Sequence, residues 1–183
     1  MNDLQTQLRE FLLGRVCVVG VGNVELGDDG FGVRLAEELG DSRFTNQNRH
    51  AVIAAPAAER YLETLSGGRF DSVLFLDAVE FGAEPGAVVL LNASEMAARF
   101  PQVSTHKLSL GLLARMIEAG GLTKARLLGV QPGSLHSGVG LSSAVQRTLA
   151  VLRRLFREVL EMPAVQTDSE PSVVHSPQPA IAC

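Results

Sequence analysis

The stretch RVCVVGV, residues 15 to 21, is a continuous valine-rich apolar run that breaks into GNVELGDDG and then into the amphipathic FGVRLAEEL. A short unbroken apolar run closed by a glycine turn is the pattern of a strand covered on both faces. Such a strand needs helices above and below it, so this segment alone points to a layered α/β fold. Phe31, Leu35 and Leu39 recur four apart and predict one buried helix face behind the turn. Asp28 and Asp29 open that helical stretch, where carboxylates suit the free N–H groups and the positive helix end.

The rest of the chain repeats the alternation. AVIAA from Ala51, SVLFLD ending at Asp77, AVVLL from Ala87 and ARLLGV at residues 125 to 130 read as further strands. AVVLL follows a Pro85–Gly86 turn, which makes it a candidate neighbour of SVLFLD. Leu4, Leu8 and Leu12 predict a short helix before Gly14. Pro56 suits the first turn of a helix running through Tyr61, Leu62 and Leu65. Ser104 or Thr105 is the expected cap of a helix carrying Leu108, Leu112, Leu113, Met116 and Ile117. Ser142 or Ser143 opens a long helix with Val145, Leu149, Leu152, Phe156 and Val159 at helical spacing. Strands alternating with helices imply a three-layer α/β/α sandwich around a mostly parallel sheet of about five strands. Residues 1–162 form the expected single domain. From Pro163 to Cys183 the periodicity stops: the segment holds four of the eight prolines and no Lys or Arg. It is expected to be a disordered tail.

Charge and cysteine usage narrow the function. A net charge of −4 without a basic stripe speaks against nucleic-acid binding. No apolar run approaches the length of roughly 20 residues needed to span a bilayer. The N-terminus lacks a basic start followed by a long apolar stretch, so a secretory signal is not expected. The cysteines Cys17 and Cys183 make no disulfide framework, and Cys17 lies inside an apolar run. These features favour a cytoplasmic protein; a monomer without membrane insertion is expected.

GVGNVELGDDGFG is not a dinucleotide fingerprint. Gly20 and Gly22 fit the first two glycines of that motif, but Glu25 stands at the third, and two aspartates follow where a pyrophosphate would rest. Carboxylates there repel phosphate. No G-x-S-x-G nucleophile elbow is present. In open α/β sheets ligands bind outside the carboxyl ends of the strands. Asp29 follows the first strand, Asp77 ends another, and His106 precedes a helix. With parallel strands, all three can face one crevice. Two carboxylates and an imidazole form an open-sided ligand set suited to nickel, zinc or a similar divalent ion. The same residues also fit plainer roles: a helix cap for Asp29 or Asp28, a turn residue for Asp77, a surface-loop histidine for His106. Outside this set, His136 is expected to be a solvent-exposed loop histidine and Glu25 a solvated turn acid. His50 and His175 read as surface and tail residues. Arg147, Arg153, Arg154 and Arg157 are assigned to the wet face of the last helix.

Four blocks in order carry a family resemblance. GVGNVELGDDGFGVRLAEEL resembles the opening of the NiFe-hydrogenase maturation endopeptidases, which read G-x-G-N, a short spacer, two acids and G-x-G. FLDAVEFGAEPG is similar to the second block, STHKLSL to the third with its histidine before a leucine-rich helix, and GVQPGSLHSGVGLS to the late Q-P loop before the final helix. The blocks cover most of residues 15 to 160. One departure stands out: AAPAAERYL, with Ala54, Ala55 and Pro56, replaces a glycine pair after the second strand.

The resemblance implies an endopeptidase that removes the C-terminal extension of a hydrogenase large-subunit precursor after nickel insertion. It implies Asp29, Asp77 and His106 as the metal-contacting and catalytic residues. Asp28 would support Asp29, and Gly20, Gly22 and Asn23 would shape the turn presenting the acids. The nickel would be carried by the substrate and bound weakly by the free protein, with other divalent cations able to substitute. Two rivals remain open at this point: a non-catalytic, chaperone-like module that checks nickel, and a small-molecule hydrolase or phosphorylase on a similar sheet.

Overall fold

The structure, a computed structural model, describes residues 2–40, 49–53, 58–67, 69–99 and 109–161. The chain runs α1 (Asn2–Phe11), β1 (Val16–Gly20), a 3-10 turn (Gly27–Gly30), α2 (Phe31–Gly40) and β2 (Arg49–Ile53). A second 3-10 turn (Ala58–Tyr61) leads into α3 (Leu62–Ser66), then β3 (Ser72–Ala78), β4 (Val88–Asn92) and α4 (Ala93–Arg99). The described chain ends with α5 (Leu110–Glu118), β5 (Lys124–Val130) and α6 (Ser143–Glu161). The expected tail and the cap candidates Ser104 and Thr105 lie outside the described residues, as do Pro56 and His106.

The sheet has five strands in the order β2-β1-β3-β5-β4. The first four are parallel, and β4 runs antiparallel to β5 at the edge. Alternation along each buried strand feeds two cores. Val16, Val18, Leu74, Leu76, Leu128 and Val130 face α1, α2 and α6. Cys17, Val19, Val73, Phe75, Ala125 and Leu127 face the layer of α3, α4 and α5. The expected three-layer α/β arrangement is thus present.

Two sequence expectations need correction. SVLFLD and AVVLL are not neighbours: β5 lies between them, pairing with β3 from Ser72↔Lys124 to Ala78↔Val130. A turn containing Pro-Gly suggests a hairpin, but β3 is a buried central strand whose long register is matched by β5, leaving β4 for the edge. The described helix α5 is capped by Ser109, whose side chain accepts a hydrogen bond from the Leu112 N–H, and it begins at Leu110. A serine one turn before an apolar stripe satisfies a helix donor that would otherwise be free.

The strand order places a topological switch between β1 and β3: the chain leaves β1 toward β2 on one side and returns to β3 on the other. The carboxyl ends of these two strands are therefore where a ligand site is expected. Close packing of α2 against them depends on small residues. A Cβ at Gly32 would overlap the carbonyl oxygens of Val21 and Leu76, and one at Gly20 would overlap the Gly32 carbonyl oxygen.

Candidate active site

The turn after β1 is built to aim Asp29. Val21 N donates to the Leu76 carbonyl at 2.9 Å, fastening the end of β1 to β3. Gly22 then adopts φ +128°, a conformation open to glycine, and its missing Cβ is occupied by close approach of the Asp29 carbonyl oxygen. The same Cβ position lies 3.8 Å from Asp77 Oδ1, so Gly22 packs between the Asp29 backbone and the Asp77 side chain. Asn23 N donates to Asp29 Oδ2 at 2.7 Å, while Asn23 Oδ1 accepts from Glu25 N at 3.0 Å. Asn23 thus holds its own turn with its side chain and the Asp29 carboxylate with its backbone.

Asp77 ends the buried part of β3 and is only 7% exposed. Its Oδ1 accepts from the Ala78 N–H at 2.9 Å. Burial, and next the negative charge of Asp29, push its carboxyl from the ordinary 3.8 up to about 8, against the smaller opposing pull of the Ala78 hydrogen bond. A carboxyl group kept from ionising by burial and by a neighbouring carboxylate is what a hard or borderline divalent cation relieves, since the cation favours the ionised form of both. The chemistry of this pair therefore fits a metal ion. The third expected ligand, His106, lies outside the described residues, and among those described no group of three or more His, Cys, Asp or Glu side chains could hold a metal.

Asp28 does something other than cap a helix. The residues Gly27–Gly30 form a 3-10 turn with no side-chain cap, and α2 begins only at Phe31. The fully buried Asp28 carboxylate reaches across to the late loop, accepting from Gly133 N at 2.7 Å, Ser134 N at 3.0 Å and Ser142 N at 2.6 Å. An anion shut away from water needs several donors, and these backbone groups supply them. The family resemblance implies that Asp28 supports Asp29, but the sequence gives no sign of its partners, which lie more than a hundred residues away.

Gln131 is a functional candidate that sequence reasoning passed over within the Q-P block. Its Oε1 accepts from Phe81 N at 2.9 Å, Gly82 N at 3.1 Å and Ala83 N at 3.3 Å, shaping the loop that follows Asp77. His136 is exposed, as expected, with Nδ1 2.9 Å from Ser134 Oγ. Glu25 is exposed too. Cys17 is fully buried and its thiol is pushed up to about 12 by burial, so it is no nucleophile at neutral pH. Arg153 and Arg154 sit on the exposed face of α6, where they pair with Glu38 at 3.5 Å and Glu158 at 2.8 Å. No described helix is long and apolar enough to cross a membrane.

The sequence profile described as hydrogenase maturation protease matches residues 33–159. The chain belongs to the hydrogenase maturation protease family. The hydrogenase 2 maturation protease of Escherichia coli is 29% identical over 163 residues, which cover 82% of this chain and 98% of that protein. Among solved structures, the NiFe hydrogenase maturation protease HycI from Thermococcus kodakarensis superposes with a TM-score of 0.73 at 28% identity, covering 85% of this chain and 99% of that one. The hydrogenase maturating endopeptidase HybD of E. coli gives a TM-score of 0.69 at 27% identity, covering 80% and 91%. The chain is accordingly a hydrogenase maturation protease, hence a peptidase and neither a non-catalytic nickel-checking module nor a small-molecule phosphorylase.

Proposed function

We propose that this maturation protease removes the C-terminal extension of a NiFe-hydrogenase large-subunit precursor once nickel has been inserted, and that it recognises the precursor through that nickel. The observation that carries this reading is that Asp29 and Asp77, beyond the carboxyl ends of adjacent parallel strands, lie close enough for the Asp29 charge to push the Asp77 carboxyl upward. Asp29, Asp77 and, by resemblance, His106 are the proposed contacts to a nickel ion already held by the substrate. Three open-sided ligands complete the coordination of a metal whose remaining positions belong to the precursor. Selectivity then arises because a precursor without nickel offers these ligands nothing to coordinate. The nickel supplies positive charge near the peptide bond to be cut; the chain's own residues hold the two acids and orient them. Asn23 fixes Asp29 and Ala78 fixes Asp77. Other divalent cations can take the same position, and the free protease holds nickel weakly because half of the coordination shell is missing. The cytoplasm, where a folding intermediate of a hydrogenase would be met, is the proposed location, and a monomer is the proposed form.

The test is precursor processing followed by mass spectrometry. Asp29→Asn, Asp77→Asn and His106→Ala are each expected to lose cleavage by about a hundredfold or more while keeping the circular dichroism spectrum of the wild type. Wild-type cleavage by any one of them would remove that residue from the site.

A further inference from the structure

The late loop, residues 131–142, makes more polar contacts to the two acid-bearing loops than either makes to the other. Along its length it grips the first loop: Asp28 takes three of its N–H groups, Asp28 N donates back to the Ser134 carbonyl at 2.9 Å, and Gly138 N donates to the Glu25 carbonyl at 3.2 Å. Through its first residue, Gln131, it also grips the loop behind Asp77. Gln131 Oε1 takes the N–H groups of Phe81, Gly82 and Ala83, Gly86 N donates to the Gln131 carbonyl at 2.9 Å, and Gln131 N donates to the Ala87 carbonyl at 2.8 Å. Gly133 sits where the two meet, its Cβ position 3.2 Å from Pro85 Cβ and 3.5 Å from Asp28 Oδ2.

We infer that residues 131–142 act as a bracket setting the separation of Asp29 from Asp77, with Asp28 and Gln131 as its positioning residues. The inference rests on the reading that Asp29 and Asp77 share one substrate-borne ion. Asp28 is bonded by sequence to Asp29, so whatever fixes its carboxylate fixes the turn that aims the neighbour. Its three donors come from both ends of the late loop, Gly133 and Ser134 at one and Ser142 at the other, which holds the loop closed on itself. Gln131 gathers three successive N–H groups a few residues past Asp77, a concave arrangement that pins a loop without regular structure. A shared ion tolerates little change in donor spacing, so groups that orient ligands without touching the metal govern affinity.

The experiment uses the full-length 15N-labelled protein, with Zn2+ alone as the probe, a diamagnetic ion whose effects stay local to the groups it touches. The Asn23 and Ala78 amides donate to Asp29 and Asp77, so an ion between the acids shifts both signals. In the wild type both amides shift with a common midpoint. In Asp28→Asn and Gln131→Met the midpoint rises about tenfold or more. Gln131→Glu keeps an oxygen facing the three amides and stays within about threefold of the wild type. If Asp28→Asn loses its dispersed spectrum, the two Gln131 variants decide alone. Separate midpoints in the wild type sink the shared-ion reading and the bracket with it. A common midpoint in the wild type with unchanged midpoints in Asp28→Asn and Gln131→Met leaves the shared ion standing and overturns the bracket.

Discussion

At Asp77 a carboxyl group is enclosed beside a second carboxylate, and the protein's stability must register it. Its folded-state value lies near 8 against an ordinary 3.8, with burial the larger cause and Asp29 the second. A raised value means that the folded protein holds this proton more tightly than the unfolded chain. The stabilisation is therefore complete below about pH 4 and is lost as pH rises through about 8, at a slope of up to about 1.4 kcal/mol per pH unit. Asp77→Asn carries no such charge, so its melting temperature is expected to overtake that of the wild type as pH rises from 5 to 9. A constant difference between the two across this range would contradict the burial argument. Gly22→Ala places a methyl group against the Asp29 carbonyl at a positive φ, and is expected to cost about 2 kcal/mol or more in urea unfolding. In a Cys183→Ser background Cys17 is expected to resist thiol reagents in the native protein at pH 8 and to react on denaturation, since burial lifts its thiol to about 12. How far the residues were legible differs by kind. Asp29 and Asp77 could be marked from their places after a strand and at a strand end. The partners of Asp28 and Gln131 could not, because backbone N–H groups brought together by folding leave no mark on residue type.

The elements themselves are largely legible because each buried strand is a continuous apolar run and each helix carries one apolar stripe. Where the reading slipped, a local signal met a non-local one. Pro85–Gly86 looks like the tip of a hairpin, but the Gly86 N–H and Gln131 carbonyl pair instead, feeding β4 to the outside of β5. The two aspartates look like a helix start, but Gly27 at φ +55° turns them into a 3-10 segment in which Asp28 points to the late loop. The close seat of α2 is the element most sensitive to substitution. Gly32→Ala drives a methyl group into the Val21 and Leu76 carbonyls and is expected to destabilise the fold by about 3 kcal/mol or more, or to prevent folding. Phe156→Ala on α6 empties a fully buried ring position in the core shared with α2 and is expected to cost about 3–5 kcal/mol by denaturant titration. A loss below about 1 kcal/mol would mean that α6 packs less firmly than its burial indicates.

On the scale of the whole molecule, strand order matters more than any single motif. Placing β1 beside β3 brings Asp29 and Asp77 together although they lie 48 positions apart in the chain, at the point where the winding direction switches. That convergence could be anticipated from parallel strands alone. The role of His106 rests on its block of sequence, since residues 100–108 lie outside those described. The family fixes the reaction class, and the paired acids suggest what the protease senses. Cleavage of one precursor in two states, nickel-loaded and nickel-free, by the same enzyme tests recognition through nickel most directly. Cleavage of the loaded form at least about a hundredfold faster than the empty form is the predicted result. Equal rates on the two would contradict recognition through nickel.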